Sequence, residues 1–349
     1  MGLHGVRTAR SEICPICKAD ASVIADQYSG YQDTYCYRIL ECEYCDLQFV
    51  DPMIVPPGLY DGIYRNSDRL PGYKRYREYR DLIARSKDKS SLSWLAAQEP
   101  AYWFVCSELA ALSPSARILE VGSGLGYLTY AIHSAGYNII GIDISNDAIT
   151  EARSSFGGFY LHKDLNALAL EEPNSFDAVI MTEVIEHVPT PRTFLDAAAS
   201  LLKPGGQIIL TTPNKSNAPL GVCWDTESPP VHLWWFSETA MRRLAQNSCL
   251  SIRMGDFRSM YQGRKPYSVP PTKSGPPPFL DSSGQVTDAA KRWQAGRLWL
   301  TNLENHSGKL RPFVKTVRRV KRSYPALLQR NWQMGVVLAK RPAVRGDGM

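Results

Sequence analysis

The stretch RILEVGSGLGYLTYAI, Arg117 to Ile132, decides how this chain is read. A short β-branched and apolar run meets a glycine turn and continues as a helix. Such a turn presents backbone N–H groups and a helix N-terminus, so a phosphate or nucleotide-like guest is expected there. A dinucleotide fingerprint is Gly-x-Gly-x-x-Gly, its third glycine easing helix–strand packing. Here the spacing is Gly122-Ser-Gly124-Leu-Gly126, followed by Tyr127, and Glu120 stands two residues before the first glycine. A carboxylate so close would repel a phosphate.

A cationic guest would welcome it. S-adenosylmethionine carries a sulfonium and an ammonium and no phosphate. The next acid supports that reading: Asp143 ends a second apolar run in NIIGIDIS, 17 residues after Gly126, where a carboxylate can take both ribose hydroxyls. Asp143 alone would also suit NAD, and glycines that merely make a tight turn are the plainer alternative. The order Glu120, three close glycines, Asp143 favours S-adenosylmethionine.

Around this turn, short apolar runs alternate with amphipathic stretches from Ala101 to Phe257, the pattern of a βαβ sheet protein. Strands are expected at about 117–121, 138–142, 159–162, 176–182, 207–212 and 250–257, and helices at about 101–112, 125–135, 146–155, 190–202 and 237–247. MGVVLAK (334–340) reads as a last strand. Residues 262–285 carry six prolines and little hydrophobicity, which predicts a loop or disordered insert. The chain divides into a Cys-rich module (1–50), a Tyr- and Arg-rich helical connector that covers cofactor or acceptor (51–100), the sheet core (101–257), a Pro-rich and basic insertion (258–330) and the last strand with its tail (331–349).

With 349 residues, 44% of them hydrophobic, the chain can bury a core without staples. No apolar run reaches the ~20 residues that cross a bilayer, and the first residues, MGLHGVRTARSEI, lack a hydrophobic signal segment. The expected location is cytoplasmic. The net charge of +6 is unevenly spread: Lys291 to Arg345 holds fourteen Lys and Arg against one acid, Glu304, which leaves the rest of the chain at −7. Within it, Arg311, Lys315, Arg318, Arg319 and Arg322 share one helical face, and Phe313, Val317, Val320 and Tyr324 another. Three readings stay open for 311–324: a helix docked on its own sheet, peripheral contact with an anionic membrane, or nucleic acid.

Five of the eight cysteines lie in the first 45 residues. CPIC (Cys14, Cys17) and CEYC (Cys42, Cys45) are two Cys-x₂-Cys knuckles 24 residues apart, able to close a tetrahedral structural zinc site. The gap implies a long hairpin. Cys36 could replace one ligand, although knuckle geometry favours the paired four. The intervening segment is acidic and nearly free of Lys and Arg, unlike an RNA-gripping ribbon.

ILEVGSGLG, IIGIDIS, HKDLNAL, FDAVIMTEVIEHVPTP and LLKPGGQIILTTPN, in this order and spacing, resemble the class I S-adenosylmethionine-dependent methyltransferases. The branch it resembles includes ubiquinone-biosynthesis O-methyltransferases and sugar and natural-product methyltransferases, and the likeness covers about half the chain. It implies a seven-stranded, mostly parallel Rossmann-like α/β sheet with helices on both faces, MGVVLAK being antiparallel, beside the small N-terminal four-cysteine zinc-ribbon module. It also implies roles. Glu120, Gly122, Gly124 and Gly126 line the methionine end of S-adenosyl-L-methionine. Asp143 and Ile144 hold ribose and pack adenine, Asp164 and Leu165 receive the adenine edge, and Thr182 and Glu183 border the methyl group. The KPGG turn (203–206) is structural. The cysteine pattern resembles ribbons fused to bacterial sugar or secondary-metabolite methyltransferases, where the ribbon walls the acceptor pocket or a homodimer contact.

Methyl transfer needs the acceptor positioned and, for a hydroxyl, a base. His187 in EVIEHVP follows the fourth strand of the sheet; it is a candidate base, or a histidine bonded to nearby backbone. His232 precedes a helix start capped by Ser237 toward Ala240 and is a candidate for acceptor binding or base catalysis. His162 belongs to the adenine-side loop. Trp224, Trp234, Trp235 and Phe236 are either an acceptor wall or core. The expected activity is methylation of a small molecule or sugar, free or lipid-linked, on O, C or N. The rivals are an RNA methyltransferase using 309–330 and a non-catalytic cofactor-binding partner subunit.

Overall fold

A computed structural model describes residues 12–70, 72–86, 88–217, 220–221, 228–261, 277–292 and 333–340. The cysteine knuckles frame an antiparallel sheet of β1 (Glu12–Ile13), β2 (Asp20–Ser29), β3 (Cys36–Cys42) and β4 (Leu47–Asp51). The long gap between knuckles is the β2–β3 hairpin, which carries two register shifts. Four helices follow: α1 (Leu59–Arg65), α2 (Lys74–Ser86), α3 (Ser91–Gln98) and α4 (Pro100–Leu109).

The main sheet contains β5 (Arg117–Val121), β6 (Asn138–Asp143), β7 (Tyr160–His162), β8 (Phe176–Thr182) and β9 (Leu202–Pro213), joined through α5 (Tyr127–Ser134), α6 (Asn146–Phe156), α7 (Leu165–Glu171) and α8 (Pro191–Leu201). After β9 come the short β10 (Trp234–Trp235), α9 (Glu238–Asn247), β11 (Leu250–Met254) and β12 (Gln333–Lys340). The strand order is β11-β12-β9-β8-β5-β6-β7. β5 runs parallel to both β6 and β8, and β8 runs parallel to β9. As the resemblance implied, β12 is antiparallel to both its neighbours. The central strands read as near-continuous apolar runs because helices cover both faces: Ile118, Leu119, Val179, Ile180, Ile208 and Ile209 are fully buried.

The chain turns from β5 toward β6 on one side and later to β8 on the other. The β5–β8 junction is therefore the switch point at which ligands bind beyond the strand ends. The glycine turn sits there.

Several expectations are corrected. The strand expected over 250–257 stops at Met254, where Gly255 turns and its N–H donates to Gly335 O at 2.7 Å. A Cβ at Gly255 would lie 2.5 Å from the Phe104 ring, so only glycine permits this approach of α4. The helix expected over 101–112 runs from Pro100 to Leu109. Of the Pro-rich insert, residues 262–276 lie outside the described residues, and 277–285 is loop as expected but packed: Phe279 and Leu280 are buried against Tyr31, Leu59 and Ile63, and Leu280 bridges Gln32. The basic segment 311–324 and Trp224 lie outside the described residues. Trp234, Trp235 and Phe236 are buried in the core.

Candidate functional site

The carboxyl ends of β5, β6 and β8 surround one crevice. Gly122, Gly124 and Gly126 all have positive φ (74°, 50° and 81°), which a side chain would strain. A Cβ at Gly126 would meet Ala152 and Tyr160 at 2.7 and 2.8 Å, so this glycine lets α5 pack on α6. Asp143 is buried at the end of β6 and accepts N–H bonds from Gly124 and Ser145, both at 2.8 Å. Burial raises its carboxyl above the ordinary value, against those two amides. Glu120 is buried facing α5, where the Thr129 hydroxyl donates to it. Desolvation pushes it up to about 8. Two buried carboxyls, neither paired with a basic side chain among the described residues, make a site that gains from a bound cation. The donor set fits the ammonium and ribose of S-adenosylmethionine.

Ile144 is 58% exposed, an apolar side chain left open beside Asp143. With Ser145 it forms one wall of a cavity of about 210 Å³ whose other wall is Val55 to Asp61. The connector thus covers this crevice. The Ser145 hydroxyl donates to Asp61 at 2.5 Å, Arg65 pairs with Asp147 at 2.9 Å, and Arg77 reaches Glu151 at 3.1 Å, pinning α1 and α2 to α6. From α1, Tyr64 comes so near that a Cβ at Gly124 would lie 2.8 Å from its hydroxyl. Asp164 is exposed and uses Oδ1 to cap α7, accepting from Asn166 and Ala167. Leu165 is buried. His162, expected in the adenine-side loop, is instead the last residue of β7, and its ring bonds the Ile144 carbonyl at 3.0 Å. Lys203 pairs with Asp177 at 2.6 Å at the opposite end of the sheet.

The second half of the crevice follows β8. Thr182 is half-buried at its end. Glu183 takes a left-handed φ of 55°, uncommon for a non-glycine residue and a mark of strained, functional backbone. It accepts from Gln333 at 2.5 Å and Thr211 at 3.1 Å. A 3-10 turn over Ile185–His187 then aims two side chains inward. His187 Nδ1 donates to the Val231 carbonyl at 2.5 Å, which leaves Nε2 as the acceptor. Its ring centroid lies 4.9 Å from that of His232 and 6.1 Å from Tyr60 of α1. Burial holds His187 down to about 4 and His232 well below its ordinary value, so both imidazoles are neutral.

Between them lies Glu186, fully buried and overlooked by the sequence reading. Its Oε1 stands 3.8 Å from His187 Nε2 and 4.0 Å from His232 Nε2. The available signal was its place in EVIEH, one helical turn after Glu183 and next to His187. Tyr60 and Tyr64 carried no signal, because α1 reaches the crevice only through the tertiary fold.

The four paired cysteines converge as expected. Cys14 and Cys45 Sγ are 3.7 Å apart, Cys17 and Cys42 Sγ 3.4 Å, and all four thiols fall within 4.8 Å of one another. Tetrahedral zinc with ~2.3 Å bonds needs sulfurs ~3.8 Å apart, so the set fits a closed structural ion. Cys36 is exposed and outside the cluster. Each knuckle ends on a left-handed residue, Lys18 (φ 65°) and Asp46 (φ 54°), which turns the chain back past its own sulfurs.

Residues 74–251 match the family described as a methyltransferase domain. The ubiquinone biosynthesis O-methyltransferase of Xanthomonas campestris pv. campestris (strain B100) is 42% identical over 110 residues, 30% of this chain and 46% of that protein. The protein of the same name from Xanthomonas axonopodis pv. citri (strain 306) is 39% identical over 115 residues, 31% and 48% of the two chains. The chain spans about half the length of the curated relatives it matches. The YcgJ protein of Bacillus subtilis is a looser likeness in structure, 15% identical with a TM-score of 0.42, over 68% of this chain and 97% of that one.

Proposed function

Because the chain belongs to the methyltransferase-domain family through residues 74–251, we propose that it methylates a small-molecule or sugar acceptor, free or lipid-linked, using S-adenosylmethionine. The observation that carries this reading is one crevice with two differently built halves. A glycine turn with buried Glu120 and Asp143 adjoins a neutral histidine pair around Glu186. The cofactor supplies a methyl group already activated on sulfonium. The protein then has to hold the acceptor in line with it, exclude water and manage one proton.

The residues divide accordingly. Glu120, the three glycines and Asp143 seat the cofactor, with Ile144, Asp164 and Leu165 at the adenine edge. Thr182 and Glu183 sit where the two halves meet. α1 and α2 close the crevice from outside, where half-buried Tyr60 and Tyr64 face it. His187 Nε2 and His232 are placed to take the acceptor proton, with Glu186 behind them. The four cysteines stand apart from this chemistry and serve structure.

A second reading, methylation of RNA, is favoured only by the basic stretch from Lys291 to Arg345. Among the described residues no helix is long and apolar enough to cross a membrane. The test is to incubate the purified protein with methyl-tritiated S-adenosylmethionine and an extract of its host, then fractionate the label. Counts in the small-molecule or organic-extractable pool are expected. Counts in RNA would replace the proposed acceptor, and cofactor binding without any transfer would make the chain a non-catalytic partner.

A further inference from the structure

Beside the glycine turn, the connector sets a charged pair among tyrosines. On α2, Arg75 lays its guanidinium over the Tyr76 ring, 4.6 Å from the centroid, and donates to the Tyr76 hydroxyl at 2.7 Å. Its Nε stands 2.9 Å from Glu99 Oε1, which also accepts from the Tyr79 hydroxyl at 2.9 Å. Tyr76 in turn stacks on Tyr127, the first residue of α5 after the glycines, with 6.4 Å between ring centroids and 19° between planes. The Tyr127 and Tyr102 hydroxyls meet at 2.5 Å in the same cluster.

Arg75 is not used up by these contacts. Glu99 engages it through one nitrogen, not through the paired N–H groups that a bidentate carboxylate takes. Nη1 has no partner among the described residues, and Nη2 keeps one N–H beyond the bond to Tyr76. The side chain is 48% exposed, so a ligand can reach these donors. Its place is the methyl end of the crevice. Burial pushes the Glu183 carboxyl up to about 7, the charge of Glu99 raises it further and that of Arg75 lowers it. At Glu120 the acting charge is that of Asp143. Such fields fade with distance, so the guanidinium belongs beside Glu183 and not beside the ammonium site.

We propose, resting on the methyltransferase reading above, that Arg75 receives a carboxylate carried by the acceptor. The substrate class is then small molecules or sugars that bear a carboxylate apart from the atom that is methylated. One guanidinium close to two carboxyls, Glu99 and Glu183, suits a monoanion; a phosphate dianion would meet more repulsion there than a single arginine offsets. The planar fork of arginine matches a carboxylate in shape as well as charge.

The carboxylate is held and stays ionised throughout, while the chemistry happens at another atom of the acceptor. Two parallel N–H bonds fix direction as well as position. Binding energy at a group remote from the reacting atom is what aligns that atom with the sulfonium methyl. The anchor is also tied to the cofactor half: Arg77 and Arg80, on the same helix as Arg75, pair with Glu151 of α6 at 3.1 and 3.3 Å.

The test uses the full chain with methyl-tritiated S-adenosylmethionine and host extract, and applies the labelled small-molecule and organic-extractable products to an anion-exchange resin. The label is expected to be held at about pH 7 and released at about pH 2, below the carboxyl range. Arg75→Gln should slow transfer from dilute extract at least about tenfold, the worth of a charge-assisted hydrogen bond. The deficit should shrink as the extract is concentrated, and Arg75→Lys, which keeps the charge without the fork, should recover part of the rate. Calorimetry on the same samples should give S-adenosylmethionine affinity equal to wild type in both variants. Label that the resin never holds overturns the proposal, and so does label still held at about pH 2, the mark of a phosphate. Wild-type rates in Arg75→Gln overturn it as well. A loss of S-adenosylmethionine affinity matching the loss of transfer does the same, since the guanidinium would then serve the cofactor. Neutral label sinks this proposal alone, whereas label in RNA, or no label, sinks the small-molecule methyltransferase reading and this proposal with it.

Discussion

Glu120 is the side chain at which the fold and the proposed cofactor site are most directly coupled. Its carboxyl ordinarily titrates near 4.5, and burial pushes it up to about 8 against the opposing Thr129 hydrogen bond. The folded chain therefore holds this proton more tightly than the unfolded chain. Its contribution to stability is complete below about 4.5 and is lost as pH rises through about 8. A bound ammonium reverses the preference and expels the proton. S-adenosylmethionine affinity should therefore rise with pH, by up to about tenfold per unit, and level off above about 8. Asp143, also raised by burial, adds to the same trend. Calorimetry from about pH 6 to about pH 9 checks this. Glu120→Gln should bind about 10- to 100-fold more weakly, the worth of a charged hydrogen bond of ~1.5–3 kcal/mol, with a shallower pH dependence. A wild-type affinity flat across that range would remove Glu120 from the cofactor site.

At the scale of elements, the half of the crevice that follows β8 leans on the ribbon. β10 pairs with β4, Trp234 opposite Phe49, so a two-residue strand from the core completes the ribbon sheet. The Ser237 hydroxyl, which caps α9, also donates to the carbonyl of Cys45 in the four-cysteine cluster at 2.8 Å. Asn247 at the far end of α9 donates to Ile16 at 3.0 Å, between the first two cysteines. Below them Lys215, with no exposure at all, bridges Glu41 at 2.9 Å and Asp46. Apart from the Ser237 cap of α9, none of this was legible in the sequence. Two tryptophans have no strand period, and a lysine in TTPNKSN gives no sign that burial awaits it. The parallel strands were legible because burial on both faces leaves them unbroken apolar runs. Two expectations follow. Lys215→Met should destabilise by ~3–5 kcal/mol, since it strands the buried Glu41 carboxylate, measured by urea unfolding. Stripping the zinc should speed amide exchange over 231–237, where His232 lies, while leaving S-adenosylmethionine affinity near its starting value. Equal protection with and without metal would show that β10 holds its place unaided.

For the whole molecule, a cysteine-rich module ahead of an α/β core reads as two domains, because composition changes abruptly near residue 50. Packing does not follow composition. One apolar cluster runs from Cys14, Ile16 and Phe49 through Trp234 and Phe236 to Met241, Leu201, Val179 and Leu119. Composition records where residue types change, whereas a domain boundary is set by where contacts stop, and those contacts join positions far apart in the chain. The opposite face has its own core, in which α2, α3 and α4 pack on β5 and α5, so the connector too is built into the sheet. Apolar surface shared by both parts is uncovered if either unfolds alone, at ~25 cal/mol per Å². Ribbon and core should therefore unfold together. In urea, zinc release followed by a chromogenic chelator and tryptophan fluorescence should give one midpoint, and Cys17→Ser should lower both by the same amount. Zinc release at clearly lower urea, with the fluorescence transition in place, would show a ribbon that melts by itself, and the coupling argued for β10 and α9 would fail with it.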